Sequence, residues 1–326
     1  MPSADPVPEP NRTLRILATL TVFNDYPAAG RCLEALARQT VPLAGILLID
    51  NSPKPEQAFR LAREEEWGTR LIYRSHPENI GVAGALREAF VLAREMDVDG
   101  LWTFDQDSEP EPACLAALLR DWQATVPPAV RGPVIREIPG GRIHYGGRFE
   151  AFRFRQMKAL TGNAEETSCD LIITAGMLIP ATLLRTWAGP PPEMFIDAVD
   201  TLICTEALAR GHRVVIRHDA ALHHRFGQPK ITRPGKTPLH DYSPVRCYYI
   251  GRNHTLLEMR LARGAWAKVR CLLYRCRVAL RFSRNAFRVR SAQPWACSKA
   301  IWKGTWHGLR HLDDPRIDLS PPARKR

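Results

Sequence analysis

Leu101-Trp102-Thr103-Phe104-Asp105-Gln106-Asp107-Ser108 is the stretch on which the reading of this chain turns. An apolar, β-prone run stops abruptly at two acids spaced one residue apart. If Leu101–Phe104 is a buried strand, the period-2 geometry of a strand points Asp105 and Asp107 to the same side of its C-terminal end. Two carboxylates in one small volume repel unless a positive charge lies between them. Hard divalent cations such as Mg²⁺ are held by one or two carboxylates together with substrate phosphates. A polar loop after a strand would also satisfy Asp-x-Asp, so the rest of the chain has to decide.

Upstream, the Leu14–Val22 run is near-continuously apolar with Thr, as a buried parallel strand is. Phe23-Asn24-Asp25-Tyr26-Pro27 breaks it, and Cys32, Leu33, Leu36 and Ala37 then follow at helical spacing. Gly45–Ile49 reads as the second strand, ending in Asp50-Asn51-Ser52-Pro53, and Gln57–Trp67 as a charged helix. Leu71–Tyr73 reads as a short third strand. The turn Asn79-Ile80-Gly81-Val82-Ala83-Gly84-Ala85 feeds a helix reaching about Met96. Strand and helix patterns alternating in this way predict a parallel α/β sheet. In such sheets ligands bind outside the carboxyl ends of the strands. Asn24-Asp25, Asp50-Asn51, Asn79 and Asp105-Gln106-Asp107 would therefore line one edge. The first strand–helix turn lacks G-x-G-x-x-G, and G-x-x-x-x-G-K-[ST] is absent, which disfavours ordinary dinucleotide and P-loop chemistry.

Downstream, a helix is expected over Ala113–Gln123 and a strand over Ala129–Val134, while residues 136–168 fit either a loop or a hairpin. Thr174-Ala175-Gly176 interrupts the apolar runs Asp170–Ile173 and Met177–Ile179. A helix is expected from about Asp200 to Arg210, stopped by Gly211, and Val214–Ile216 reads as a strand.

Taken in order, these pieces resemble the inverting family-2 glycosyltransferases with the GT-A fold, most of all bacterial rhamnosyltransferases. The matching elements are Thr21–Asn24, Ile49-Asp50-Asn51-Ser52, Asn79-Ile80-Gly81-Val82-Ala83, Thr103–Ser108, Thr174-Ala175-Gly176-Met177, Phe195–Asp200, His224-Arg225-Phe226-Gly227 and Ser243–Asn253. The resemblance implies a Rossmann-like, mostly parallel central sheet flanked by helices, followed by a basic helical C-terminal extension. It implies a nucleotide-sugar site drawing on Thr21, Phe23, Asn24, Asp50, Asn79, Gly81, Arg87, Asp105 and Gln106, with Asp50 reading the base. It implies a Mg²⁺ or Mn²⁺ site at Asp105, Asp107 and His224, with Asp200 the catalytic base. Gly176, Asp197, Arg246, Tyr249 and Arg252 fall on the acceptor or diphosphate side. The implied reaction moves rhamnose from dTDP-rhamnose to a lipid-linked or polysaccharide acceptor. The alternative is a hexosyl or galactofuranosyl transferase using a UDP-sugar.

The residues leave some choices open. His223 competes with His224 for the metal, and Asp197 with Asp200 for the base. Asp200 at a helix start also suits a capping role. Relatives often carry a second acid two positions after the base, where this chain has Leu202, and Asn where it has Arg87. Leu202 admits a different class altogether, a non-catalytic nucleotide-sugar-binding or scaffold protein.

Charge divides the chain. The formal net charge is +12, yet from Arg252 onward 18 Lys+Arg face 4 Asp+Glu, leaving −2 for the residues before it. Leu261, Trp266, Val269, Leu272, Leu273, Cys276 and Leu280 recur at helical spacing, with Arg270, Arg277, Arg281, Arg284 and Arg288 on another face. A basic amphipathic helix with Trp suits an anionic membrane surface, or else packs on the catalytic part. No nucleic-acid motif accompanies the charge, so no nucleic-acid partner is expected. The expected location is cytoplasmic, peripheral on the inner face of the cytoplasmic membrane. Eight scattered cysteines with no C-x-x-C pair fit reduced thiols. Residues 1–12, Pro-rich and acidic, read as a disordered lead-in, 13–253 as the glycosyltransferase domain, and 254–326 as the extension.

Overall fold

The computed structural model describes residues 13–124, 126–158, 165–227, 230 and 239–310. The lead-in 1–12 and the last part of the extension, 311–326, lie outside the described residues.

The first half alternates as expected: β1 (Ile16–Val22), α1 (Tyr26–Ala37), β2 (Gly45–Asp50), α2 (Gln57–Trp67), β3 (Leu71–Ser75), α3 (Gly81–Glu95) and β4 (Gly100–Asp105). These four strands pair in parallel in the order β3-β2-β1-β4. The chain steps outward from β1 to β3, then returns to the other side of β1. That reversal opens a crevice between the carboxyl ends of β1 and β4, where Thr21 lies opposite Asp105.

The continuous apolar strands follow from burial on both faces. Ile16, Ala18 and Leu20 point to one side, against Cys32, Leu33 and Leu36 of α1. Leu17, Leu47 and Ile49 point to the other, against Leu86, Ala89 and Phe90 of α3. All eight cysteines are free.

Beyond β4 the sequence was less legible. β5 (Ser108–Pro110) is only three residues long. The helix expected over Ala113–Gln123 is cut to α4 (Cys114–Leu119). Asp121 has φ +51°, and Trp122 turns inward to donate its indole N–H to the Ala129 carbonyl at 2.6 Å. The strand expected to end at Val134 continues as β6 (Val130–Glu137). The described part of region 136–168 holds β7 (Ile143–His144), a β8 (Gly147–Glu150)–β9 (Arg153–Gln156) hairpin and the start of β10 (Glu166–Cys169), while 159–164 lie outside the described residues. Next come β11 (Met177–Pro180), α5 (Ala181–Thr186) and α6 (Val199–Ala209). The strand expected over Val214–Ile216 is the long β12 (Val214–His224), irregular between Arg217 and Ala221. The sheet runs β10-β12-β6-β11-β4-β1-β2-β3, with β5 on β12 and β7 on β6.

The described residues end in three helices: α7 (Pro244–Leu261), α8 (Ala265–Arg288) and α9 (Pro294–Arg310). α7 starts under a Ser243 cap, whose Oγ accepts from the Arg246 N–H at 3.2 Å. It runs unbroken through residue 253, so a boundary at 253/254 cuts a single helix. Gly251 on α7 lies against the backbone of Ile301, Gly304 and Thr305 on α9, and Gly308 on α9 lies against Arg252 and Thr255 on α7. A Cβ on Gly304 would stand 2.0 Å from the Tyr248 carbonyl oxygen. We predict that Gly304→Ala destabilises the fold by about 1–3 kcal/mol through this overpacking, read as a fall in denaturation midpoint. An unchanged midpoint would mean that α9 is not seated this closely.

Candidate active site

The ends of β4 and β12, the loop before α6, and helices α6 and α7 supply the site. Asp105 closes β4 and Asp107 follows it. β5 pairs antiparallel with the end of β12, setting His224 opposite Ser108. His224 is buried, and its Nδ1 lies 3.1 Å from Ser108 Oγ and 3.6 Å from Asp107 Oδ1. Strand alternation turns His223 to the opposite face, where its Nε2 meets Glu111 at 3.3 Å. Of the two histidines, His224 alone joins the acids. Ligand atoms from Asp105, Asp107 and His224 all lie within 4.8 Å of one another. Phe226 packs its ring edge on to His224, 4.5 Å between centroids.

Burial pushes the Asp105 carboxyl up to about 6, and the charge of Asp107 adds to the effect, while His224 and Arg246 oppose it. Burial also raises Asp107 to about 6, with Asp25 adding and Arg225 opposing. Desolvation lowers the pKa of His224 and so favours its neutral, ligating form. Two crowded carboxylates beside a neutral imidazole fit a divalent cation, which would relieve their repulsion.

Asp200 sits in the first turn of α6. The capping position belongs to Ala198, which has φ +61° and no side-chain cap. Asp200 Oδ1 accepts from the Thr201 N–H at 2.6 Å. Burial raises its pKa to about 6, and the charges acting on it, Asp197 and Asp105, raise it further. Asp197 is held differently. Arg246 grips both its oxygens at 3.2 Å, opposing the upward shift caused by burial. One acid is thus engaged by a cation, while the other feels the charge of Asp105 and has no cation beside it among the groups acting on it.

The loop bearing Asp197 and leading into α6 is strained, with Phe195, Asp197 and Ala198 all at positive φ. Asn253, fully buried on α7, holds it. Its Nδ2 donates to the carbonyls of Met194, Ile196 and Asp197 at 2.7, 2.9 and 3.0 Å. Sequence reading did not single out Asn253, although it lies in the quoted Ser243–Asn253 stretch. Arg252, expected toward acceptor or diphosphate, is buried behind the loop and donates to the Glu193 carbonyl at 2.8 Å. Tyr249 stacks on Phe195, 5.0 Å between centroids. Gly81 is fixed by the same loop, because a Cβ there would meet Phe195 at 2.5 Å.

Several expected donor-site residues turn out to shape the cleft. Gln106 exchanges hydrogen bonds with Phe23: its Oε1 accepts from the backbone N–H at 2.7 Å, and its Nε2 donates to the carbonyl at 3.3 Å. Asn24 (φ +56°) donates its N–H to Ser52 Oγ at 2.9 Å. Asn79 (φ +57°) accepts from the Gly81 N–H through Oδ1 at 2.9 Å. Arg87 donates to the Gly189 carbonyl at 3.2 Å. Gly176 is buried at φ +78°, where a Cβ would meet Pro133 and Leu222. Asp50 is fully buried beneath two tyrosines: the hydroxyls of Tyr73 and Tyr26 donate to its Oδ2 at 2.6 and 2.9 Å. Leu202 points into the core, so an acid in its place would not face this cleft.

Comparison with known proteins adds an independent finding. Residues 19–177 match the family model for glycosyl transferase family 2, a span that includes Asp50, Asp105 and Asp107 and ends before Asp200 and His224. No curated protein matches the chain. Among solved structures, GalNAc-T7 with UDP, GalNAc and Mn²⁺ aligns at TM-score 0.53 and 14% identity, over 73% of this chain and 47% of that one. S. aureus TarS aligns at TM-score 0.50 and 14% identity, over 79% of this chain and 42% of that one. S. aureus TarS 1-349 in complex with UDP aligns at TM-score 0.51 and 14% identity, over 79% and 69%. The chain spans less than half the length of the first two. The likeness establishes a shared architecture, the GT-A type of α/β fold.

The raised carboxyls make a pH prediction. An acid has a pKa of about 3.9 when unfolded, so Asp105 and Asp107 stabilise the metal-free fold most below about pH 4. That contribution is lost as the pH rises through about 6. Mn²⁺ binds the ionised pair, so it should raise the melting temperature strongly at pH 7.5 and little at pH 5. Asp107→Ala should abolish the gain. An Mn²⁺ effect independent of pH, or intact in that variant, would contradict the site.

Proposed function

We propose that this chain is an inverting glycosyltransferase whose acceptor is activated by Asp200. The observation that carries the reading is the placement of Asp200. It is a half-buried carboxyl raised by desolvation to about 6 and close enough to Asp105 to feel its charge, while its competitor Asp197 is engaged by Arg246. A base with a pKa close to the working pH both ionises and accepts a proton readily.

In this reading Asp200 takes the proton from the acceptor hydroxyl as that oxygen attacks the anomeric carbon. The nucleoside diphosphate leaves from the opposite face, so configuration inverts. A divalent cation, when held by Asp105, Asp107 and His224, supplies the positive charge that a departing diphosphate needs. Arg246 orients Asp197 and adds positive potential near Asp105. Asn253 fixes the loop that leads into the helix carrying the base, which limits reorganisation of that helix start during the reaction. Because Leu202 belongs to the core, the missing second acid removes nothing from the cleft, and a scaffold role loses its motive.

For the donor we propose dTDP-rhamnose, on the resemblance of the Asp-Gln-Asp-Ser and Pro-x-Arg-x-Tyr-Tyr-x-x-Arg-Asn elements. A UDP-sugar is the second reading, favoured by the UDP carried by solved neighbours. The acceptor proposed is lipid-linked or a growing polysaccharide. Transfer measured across a panel of dTDP- and UDP-sugars separates the two donors.

Asp200→Asn keeps the shape of the side chain but cannot take a proton. Transfer should fall by at least about 100-fold, while donor binding persists. In the unmodified enzyme the rate should rise with pH through about 6, as the base ionises. Loss of transfer in Asp197→Asn, with Asp200→Asn active, would reverse the assignment.

A further inference from the structure

Helix α8 is docked by a narrow face of mostly small residues around one buried arginine. Cys271, Arg275, Val278, Ala279 and Ser283 are the buried residues. Arg275 donates to the Ile250 carbonyl and to Thr255 Oγ1 on α7, both at 3.1 Å, and lies 3.5 Å from Glu258. The outward face carries Trp266, Leu273, Leu280 and Phe287, each two helical turns from the next, and all are exposed, Trp266 to 73%. Arg270, Arg277, Arg281 and Arg288 run exposed beside that stripe.

Helix α9 repeats the pattern. Ile301, Gly304 and Gly308 are buried, the two glycines against α7. Trp295, Trp302 and Trp306 are exposed on one face, with Lys299, Lys303 and Arg310 alongside. Phe287 and Trp295 meet edge to face, 5.0 Å between centroids, and join the two stripes into one surface.

Scattered exposed apolar residues are ordinary, but a continuous row of large ones marks an interaction face. Burying Leu273 and Leu280 would be favourable in water, yet both are left outward. Charge identifies the occupant. No Asp or Glu occurs between Met259 and Leu312. A second copy placed on this face by two-fold symmetry would set cationic rows against each other with no carboxylate on either helix. An anionic bilayer offers hydrocarbon for the stripe and phosphates for the flanking cations. Among the described residues no helix is long and apolar enough to cross a membrane, which leaves binding in the plane of the interface.

We propose that α8 and α9 together form a docking face for an anionic lipid bilayer. The apolar stripe lies below the headgroups, and the arginine and lysine rows lie among the phosphates. The face is tied to the reaction through α7, which packs on both helices and carries Arg246 and Asn253, the residues gripping the Asp197 loop. Resting on the transfer reading, this selects an acceptor carried on lipid, delivered to Asp200 from the bilayer.

The test is sedimentation of the full chain with vesicles of phosphatidylcholine plus phosphatidylglycerol, against phosphatidylcholine alone, without any donor. Binding is expected to the anionic vesicles, to be lost at high salt, and to shift tryptophan emission to the blue. Arg277→Glu with Arg281→Glu should weaken it by roughly tenfold or more. Leu273→Ser with Leu280→Ser should remove the emission shift while leaving the melting temperature unchanged, which a packed helix face would not allow. Equal binding to both vesicle types, binding to neither, or a dimer dispersed by the Leu273→Ser, Leu280→Ser pair would overturn the proposal. Because no sugar donor is present, failure of the transfer reading would leave this result standing, and the reverse.

Discussion

Four carboxyls, Asp105, Asp107, Asp197 and Asp200, are gathered at one edge of a buried sheet, and their mutual repulsion is the constraint the rest of the structure answers. Nothing in the packing of β4 or of α6 requires these acids. Placing them there desolvates them, raising Asp105, Asp107 and Asp200 to about 6. The protein answers in three places. Arg246 engages Asp197 with two hydrogen bonds. His224, kept neutral by burial, completes a ligand set with Asp105 and Asp107. Asp200 is left as the acid poised between charged and neutral. A site that costs the metal-free fold stability near neutral pH is suited to bind a cation and a diphosphate together.

Helix α7 is the second organising part. It reaches the acid loop through Arg246, Tyr249, Arg252 and Asn253, and reaches α9 through a glycine contact that admits no Cβ. The three carbonyls taken by Asn253 belong to a segment that carries positive φ at Phe195, Asp197 and Ala198, a backbone that does not persist unless its surroundings determine it. The helices beyond the sheet therefore support the site as well as carrying an outward apolar face.

The first half of the fold was legible because strands buried on both faces leave unbroken apolar runs, and parallel pairing puts every polar break on one edge. Asp50, Asp105 and Asp107 were found by that logic alone. Residues 136–168 were not legible, because β8 and β9 are short, Arg-rich and exposed. Their pairing depends on partners such as Phe154, whose ring lies where a Cβ on Gly147 would stand. The choice between His223 and His224 needed the full length of β12, since alternation along the strand decides which ring faces Asp107. Gln106, Arg252 and Gly176 matched motifs by type, yet their contacts are with the protein's own backbone and core, which spacing cannot reveal. The charge break near Arg252 marks no structural boundary, because α7 crosses it.

The central claim is that the carboxyl edge of the sheet binds a nucleoside diphosphate through a divalent cation. Titration calorimetry of dTDP and UDP, with Mn²⁺ and with chelator, tests it most directly. The account predicts binding of at least one of the two with Mn²⁺ and at least about tenfold weaker binding with chelator, since a metal-bridged diphosphate loses its principal counter-charge. Equal affinity in both conditions, or no binding of either nucleotide, would contradict it.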